Sequence, residues 1–190
     1  MPIEVERKAV VRDEQHVVDQ LRALAVGVSS TYRDVYYDWD DRALERDGRR
    51  ELRLRVVEVS DGSRTAVLTY KGAMLDGAST PEFETEVSDP EMMDTILTGL
   101  GLGHTIAYQK RCQNFRFTVA GRAVVATVVR VPELEPTFVE VESIVETAEE
   151  IPAASTVVDQ VLADLGVSPV DVTEEFYIDM VTARRAGLGA

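Results

Sequence analysis

The chain has little of what several common kinds of site require. Its 190 residues include a single cysteine, Cys112, and only two histidines. One cysteine cannot form an intrachain disulfide, which fits a reducing compartment and favours a cytoplasmic location. So few thiol and imidazole groups also exclude a zinc site of the usual kind.

Long apolar runs and basic residues are also scarce. No run of about 18 apolar residues occurs, so we expect no transmembrane helix and no membrane partner. The acidic first residues lack the apolar core of a signal peptide, so we expect no export. Lys and Arg total 20 against 34 Asp and Glu, a net charge of −14. This charge argues against general nucleic-acid binding, although a local basic cluster can still bind a small anion.

What is present predicts one globular domain. A hydrophobic fraction of 45% over 190 residues suffices for a core. We place the domain at residues 1–183 and a C-terminal tail at 184–190. Alternating patterns and turn signals predict strands at 2–11, 32–38, 50–59, 64–71, 82–87, 106–119, 122–131 and 137–145. They predict helices at 13–25, 40–47, from 88 to about 100, 152–165 and 173–183.

The order of these elements predicts an antiparallel α+β fold. Hairpins join most of the strands, helices lie between the hairpins, and a sheet with this many strands can close into a barrel. Residues 72–80 are expected to form a loop. Ser88 and Glu91 have capping-box spacing, which predicts Ser88 as the N-cap of the third helix. Asp38 is expected to cap a turn.

Charged residues recur at a spacing of two along several predicted strands. Residues so spaced share one face of a strand. They are Glu4, Glu6 and Lys8, then Arg53 and Arg55, then Glu82 and Glu84, and finally Glu140 and Glu142. Lys71, Lys110 and Arg111 add further basic groups within strands.

Two interpretations of this pattern are open. Alternation usually marks a sheet face exposed to solvent. Here, however, acidic pairs and basic pairs fall on different strands, whereas a solvated face more often mixes the signs. Carboxylates from adjacent strands can bind Mg²⁺ or Mn²⁺, and Arg and Lys can bind phosphate oxygens. Together they would form a site for a polyphosphate bound to a divalent metal.

The sequence resembles the CYTH domains, also called triphosphate tunnel metalloenzymes. Residues 4–8, Glu-Val-Glu-Arg-Lys, match the ExExK signature of this family. Other segments resemble further family motifs in the same order: Tyr36-Tyr37-Asp38, Leu52-Arg53-Leu54-Arg55, Thr69-Tyr70-Lys71-Gly72, Glu82-Phe83-Glu84, Lys110-Arg111 and Phe138-Val139-Glu140-Val141-Glu142. The family includes class IV adenylate cyclases, thiamine triphosphatases and inorganic triphosphatases.

The resemblance implies a closed eight-stranded antiparallel barrel that forms a tunnel. It implies that Mg²⁺ or Mn²⁺ is held by Glu4, Glu6, Glu140 and Glu142. It implies that a triphosphate is bound by Lys8, Arg53, Arg55, Lys71, Lys110 and Arg111. Lys8 would assist water activation, with Glu4 and Glu6 completing the catalytic group, while Glu82 and Glu84 would hold the arginines or orient water.

The implied activity is metal-dependent hydrolysis of a small triphosphate. Inorganic tripolyphosphate is the favoured substrate and thiamine triphosphate the second. The alternatives are a class IV adenylate cyclase and a non-catalytic domain that binds polyphosphate or a nucleotide. The resemblance also leaves a homodimer open.

Three positions depart from the family pattern. Thr80 lies where an arginine is common, and Val129 where an aspartate is usual. Cys112 or Gln113 lies where a further arginine often follows the basic pair. These changes remove one or two phosphate ligands and one carboxylate, which would slow turnover or leave a protein that only binds its ligand.

Overall fold

A computed structural model of the chain describes residues 2–76 and 79–187. Its strands are β1 (Ile3–Val11), β2 (Val28–Asp38), β3 (Glu51–Val59), β4 (Arg64–Lys71), β5 (Ser79–Glu86), β6 (Gly103–Val119), β7 (Arg122–Arg130), β8 (Thr137–Val145) and β9 (Val172–Thr173). Its α-helices are α1 (Glu14–Leu24), α2 (Ala43–Arg46), α3 (Pro90–Gly99), α4 (Ile151–Asp164) and α5 (Tyr177–Arg185). No helix among the described residues is long and apolar enough to cross a membrane.

Eight of these strands form a closed antiparallel barrel. Their order is β5-β4-β3-β2-β6-β7-β8-β1, and a short pairing of Ile3–Val5 with residues 79–81 joins β1 back to β5. The short strand β9 adds to β1 at Lys8 and Ala9. The predicted α+β class and the eight-stranded barrel are therefore confirmed.

The apolar faces of several strands point outward, beneath the helices. On β1, Ile3 and Val5 form a buried cluster with Ile151 and Ala154 of α4. Further along the same strand, Ala9 and Val11 belong to the largest core cluster, together with buried residues of α1 and α4. Because side chains alternate along a strand, Glu4, Glu6 and Lys8, which lie between these apolar residues, point into the barrel.

Part of the barrel interior is apolar and aromatic. Tyr36, Tyr108 and Phe138 cluster there with Tyr177 and Val181 of α5. The rings of Tyr36 and Tyr108 are stacked with their centroids 5.7 Å apart, and their hydroxyl oxygens lie 3.0 Å apart. This cluster fills the barrel next to the charged residues and limits the space available to a ligand.

Several predicted boundaries need correction. Strand β5 begins at Ser79, so the predicted loop 72–80 ends earlier, and residues 77–78 lie outside the described ones. The segment predicted as a helix from residue 173 begins as strand β9, because Val172 and Thr173 pair with β1, and its helix begins at Tyr177. Helix α5 ends at Arg185, two residues into the predicted tail, of which residues 188–190 lie outside the description.

The predicted cap of α3 is wrong by one residue. The N-cap is Asp89, whose backbone is extended and whose carboxylate accepts a 2.9 Å hydrogen bond from the Met92 amide. Ser88 therefore lies one position before the cap. The prediction for Asp38 is confirmed: its carboxylate accepts hydrogen bonds from the amides of Trp39, Leu44 and Glu45 and so fixes the turn into α2.

Candidate functional site

The barrel encloses a cavity of about 940 Å³ lined by charged side chains. Every site residue predicted from the sequence lines it except Arg111. The carboxylates are Glu4, Glu6, Glu82, Glu84, Glu140 and Glu142, and the cations are Lys8, Arg53, Arg55, Lys71 and Lys110. The interpretation of the alternating charges as a solvated outer face is therefore wrong for these strands.

Three carboxylates form an acidic cluster inside the cavity. Each of Glu4, Glu6 and Glu142 offers an oxygen atom that lies within 4.8 Å of the oxygens of the other two. Glu6 and Glu142 are direct partners in the β1–β8 register. Burial and the neighbouring carboxylates raise the pKa of Glu6 to about 7 and that of Glu142 well above its usual range. Crowded carboxylate oxygens of this kind fit a hard divalent cation such as Mg²⁺ or Mn²⁺, which would offset their repulsion.

Glu140 lies apart from this acidic cluster. Its carboxylate is 3.4 Å from the ammonium of Lys110, and it is the register partner of Lys8. Burial alone would raise the pKa of Glu140, but the ammonium groups of Lys110 and Lys8 lower it. The structure thus brings three of the four predicted metal ligands together and places the fourth among the lysines.

Lys71 neutralises the acidic cluster from β4. Its ammonium contacts Glu4 and lies 3.2 Å from the carboxylate of Glu82. Burial raises the pKa of Glu82, and the nearby Glu4 carboxylate adds to that rise. In this arrangement Lys71 is first of all a partner of carboxylates, and at most one of its three N–H donors remains for a phosphate oxygen.

The Arg55 guanidinium is held by an aspartate that the sequence reasoning missed. Asp34 is 1% exposed and accepts two hydrogen bonds of 2.7 Å from Nε and Nη2 of Arg55. The ring of Tyr32 lies 4.4 Å from the same guanidinium. The available signal was parity, because Tyr32, Asp34 and Tyr36 alternate along β2 and so share its inner face.

Arg53 lines the cavity and has one donor without a partner among the described residues. The residue is 7% exposed, and its Nη2 donates a 3.2 Å hydrogen bond to the Thr69 hydroxyl. Thr69 in turn donates to Glu84, whose carboxylate lies 3.8 Å from Arg53. The Nε of Arg53 is buried and has no hydrogen-bond partner among the described residues. A buried charged donor without a partner is costly, so this group is suited to binding an anion.

Arg111, predicted to bind the substrate, does not line this cavity. It follows Lys110 directly on β6, so its side chain points to the opposite face of the sheet and is exposed there. Arg116 instead lines the cavity, because it lies an even number of residues from Lys110. The same parity rule could have identified Arg116 from the sequence.

The departures from the family pattern fall in different environments. Thr80 lines the cavity and is the register partner of Glu4. Val129 is fully buried in the apolar cluster that contains Phe138, where it supplies no ligand. Cys112 is buried in the same cluster, and burial raises the pKa of its thiol to about 12. A thiol with so high a pKa is not a reactive nucleophile.

Comparison with known proteins identifies one family and several similar structures. The family described as the CYTH domain matches residues 2–177. No curated protein sequence matches the chain.

Among solved structures, a protein of Pyrococcus horikoshii OT3 is 24% identical, with a TM-score of 0.80, over 96% of this chain and 99% of that one. A proposed adenylate cyclase of Vibrio parahaemolyticus is 17% identical, with a TM-score of 0.79, over 95% and 98% of the two chains. A proposed adenylyl cyclase of Hippeastrum, described as having a dominant triphosphatase activity, is 15% identical, with a TM-score of 0.66, over 98% and 96%. At these identities the three structures support the fold alone.

Proposed function

The chain belongs to the CYTH domain family, and from this premise we propose that its tunnel binds a small triphosphate with Mg²⁺ or Mn²⁺ and hydrolyses it. The observation that supports the proposal is that one cavity contains both a cluster of carboxylates and basic side chains. An acidic cluster of Glu4, Glu6 and Glu142 occupies one part, and Arg53, with its unpaired buried Nε, lies in the same cavity. A polyphosphate bound to a divalent metal is a ligand that requires both.

The chain's own residues would act mainly by positioning. Arg53, Lys8 and Lys110 would hold the phosphoryl oxygens and fix the chain of phosphates in line for attack. A divalent cation held by the acidic cluster would supply charge neutralisation and Lewis acidity. Lys8 would orient the attacking water, whose oxygen bonds to the terminal phosphorus as the bridging P–O bond breaks. Inorganic tripolyphosphate would then yield phosphate and diphosphate.

Inorganic tripolyphosphate is the favoured substrate because the aromatic rings of the cavity already have partners. Tyr32 packs against Arg55, and Phe176 lies 4.3 Å from the guanidinium of Arg49. Tyr177 packs against two lysines. Each of these rings therefore already has a cation near its face, where a base would otherwise stack. Thiamine triphosphate is the second candidate among hydrolase substrates.

Adenylate cyclase activity is the alternative that the similar structures suggest. The Vibrio parahaemolyticus protein is described as a proposed cyclase, and the Hippeastrum protein combines a proposed cyclase with a dominant triphosphatase activity. A binding-only domain is the other alternative, favoured by Thr80 and Val129, which remove charged groups expected in the family.

The test measures phosphate release from tripolyphosphate, thiamine triphosphate and ATP, each with Mg²⁺ or Mn²⁺, and cyclic AMP in the ATP reactions. We expect metal-dependent phosphate release, fastest from tripolyphosphate. Arg53→Ala should lower the rate by about 10²–10³, the usual effect of losing one electrostatic contact to the reacting group. Arg111→Ala is the matched control. It removes an arginine side chain from the outer face of the barrel, and we expect it to leave the rate unchanged.

Three results would overturn the proposal. Cyclic AMP as the main product of ATP would assign the protein to the cyclases. If the Arg53→Ala and Arg111→Ala variants were equally active, the reaction would not depend on the charged residues of the tunnel. No turnover of any substrate, with tripolyphosphate still raising the melting temperature, would show a domain that only binds its ligand.

A further inference from the structure

The C-terminal segment forms part of the wall of the charged cavity. Val172, Thr173, Glu174, Phe176, Tyr177 and Ile178 all line it. Tyr177, the first residue of α5, is 6% exposed, and its ring packs edge-on against Phe138 with the centroids 5.2 Å apart. The backbone of this segment also takes part, because the ammonium of Lys8 donates a hydrogen bond to the carbonyl of Glu175.

The ring of Tyr177 is shared by two ammonium groups from different strands. Nζ of Lys8 lies 4.3 Å from the ring centroid and Nζ of Lys110 lies 4.1 Å from it. Two like charges that approach one ring repel each other, and the negative face of an aromatic ring offsets part of that repulsion. Glu140, between the two lysines, supplies the remaining negative charge.

The hydroxyl of Tyr177 does not explain its place in the cavity. The oxygen is buried near the Glu140 carboxylate, but no hydrogen bond of normal geometry joins it to any described residue. Burial, together with the nearby Glu140 carboxylate, raises the pKa of Tyr177 well above its usual range, so the phenol stays neutral. The ring makes close contacts with Phe138, Lys8 and Lys110.

We propose that Tyr177 is a positioning residue of the triphosphate site, whose ring holds the ammonium groups of Lys8 and Lys110 in place before the ligand arrives. The inference rests on the proposed function, since the two lysines are ligands only if the tunnel binds a polyphosphate. It makes α5 part of the binding site: the helix supplies the ring, and the residues before it supply the carbonyl that anchors Lys8. Positioning of this kind strengthens binding because less side-chain freedom is lost when the ligand is bound.

The experiment compares three variants by calorimetric titration of tripolyphosphate in the presence of Mg²⁺. Tyr177→Leu removes the ring and keeps an apolar side chain, and we expect it to weaken binding about tenfold, the effect of losing two partly buried cation–π contacts. Tyr177→Phe keeps the ring and removes only the hydroxyl, so its affinity should stay within about twofold of the original. Tyr70→Leu makes the same change on the outer face, where Tyr70 stacks on Phe83, and is the matched control.

Melting temperatures of all three variants separate misfolding from a local effect. The inference is supported if Tyr177→Leu melts cooperatively and binds weakly while Tyr177→Phe restores the affinity. It is overturned if Tyr177→Leu binds as tightly as the original protein, or if Tyr177→Phe is as weak as Tyr177→Leu, which would assign the effect to the hydroxyl. If Tyr177→Leu fails to fold, Tyr177→Phe decides: weak binding contradicts the proposal, and so does tight binding without an upfield shift of the Lys8 and Lys110 side-chain protons, whereas tight binding with that shift supports it.

Failure of the proposed function gives a different result. In that case the original protein itself would bind no tripolyphosphate, whatever residue occupied position 177. The positioning of the lysines would still be visible in the nuclear magnetic resonance spectrum. The side-chain protons of Lys8 and Lys110 should be shifted upfield by the ring in the original protein and in Tyr177→Phe, but not in Tyr177→Leu.

Discussion

Asp34 holds the Arg55 guanidinium by two hydrogen bonds inside the barrel, and both partners are buried. Burial alone would raise the pKa of Asp34, but Arg55 lowers it from 3.8 to about 2. The folded state therefore binds this proton less readily than the unfolded state. Asp34 contributes its stabilisation above a pH of about 4, and this contribution is lost as the pH falls towards 2.

We predict that Asp34→Asn lowers the free energy of unfolding by about 3–5 kcal/mol at pH 7, because it leaves the Arg55 charge buried without a partner. The difference between the two proteins should shrink as the pH falls from about 4 towards 2. Urea denaturation of both proteins across this range is the measurement. A difference that stays constant down to the lowest pH would contradict the assignment.

Glu58→Gln is the matched control for that experiment. Glu58 pairs with Arg33 between the same two strands, at 2.6 Å, but on the outer face, where both side chains are exposed. An exposed pair contributes less than about 1 kcal/mol. The same change of charge should therefore have a small effect on the free energy of unfolding there. That result would show that burial makes the Asp34–Arg55 pair important for stability.

Helix α3 offers a test at the level of the element. Its N-cap is Asp89, whose carboxylate accepts a hydrogen bond from the Met92 amide, while Ser88 precedes the cap. We predict that Asp89→Ala lowers the free energy of unfolding by about 1 kcal/mol, whereas Ser88→Ala has little effect. Denaturant unfolding of the two variants shows which of these adjacent residues caps the helix. A larger loss of stability for Ser88→Ala would show that Ser88 caps the helix, as the capping-box spacing predicts.

The connection between α1 and β2 requires glycine for a steric reason. A Cβ added to Gly27 would lie 2.7 Å from the ring of Phe115 and 2.8 Å from the Gln113 side chain. Because Phe115 is fully buried, its ring has no room to move away.

We predict that Gly27→Ala lowers the free energy of unfolding by about 1–3 kcal/mol, the usual cost of overpacking a core. Gly99, the last residue of α3, has nothing within 4 Å of an added Cβ. Gly99→Ala should instead raise stability by about 0.5–1 kcal/mol. Melting curves of the two alanine variants would contradict this argument if both shifted in the same direction.

At the scale of the whole molecule, the acidic cluster links metal binding to folding. The oxygens of Glu4, Glu6 and Glu142 meet only in the closed barrel, so a divalent cation should bind the folded state and stabilise it. We predict that Mg²⁺ or Mn²⁺ at about 100 times its dissociation constant raises the free energy of unfolding by about 2.7 kcal/mol. Thermal unfolding with increasing metal concentration measures the effect.

Two variants locate the metal within the cavity. Glu142→Gln should abolish most of the stabilisation by metal, whereas Glu140→Gln should keep most of it, because Glu140 lies beside Lys110. An equal loss in both variants would show that Glu140 contributes to metal binding as much as Glu142 does. Stabilisation that survives Glu142→Gln would place the metal elsewhere.

Much of the fold and of the candidate site could be predicted from the sequence because both depend on alternation along strands. The spacing of Glu4, Glu6 and Lys8 fixes their common face, and the repeated pattern along the chain gives the strands themselves. The family resemblance, carried by motifs in a fixed order, supplies the closed barrel. The same spacing explains the one predicted site residue that lies outside the cavity: Arg111 follows Lys110 directly and therefore points outward, whereas Arg116 shares the inner face of Lys110.

Other features were decided only by the tertiary structure. Alternation shows that two residues share a face, but not which residues of other strands they meet, because register is set by pairing between distant segments. Thus Asp34 pairs with Arg55, Glu140 joins the lysines instead of the acidic cluster, and Tyr177 enters the cavity from a helix about 170 residues after Lys8 in the chain. The sequence by itself determined which charges share a strand face, and closure of the barrel turned those faces inward. Only closure of the barrel decided which of them are neighbours, because electrostatic contacts depend on distance in space and not on separation along the chain.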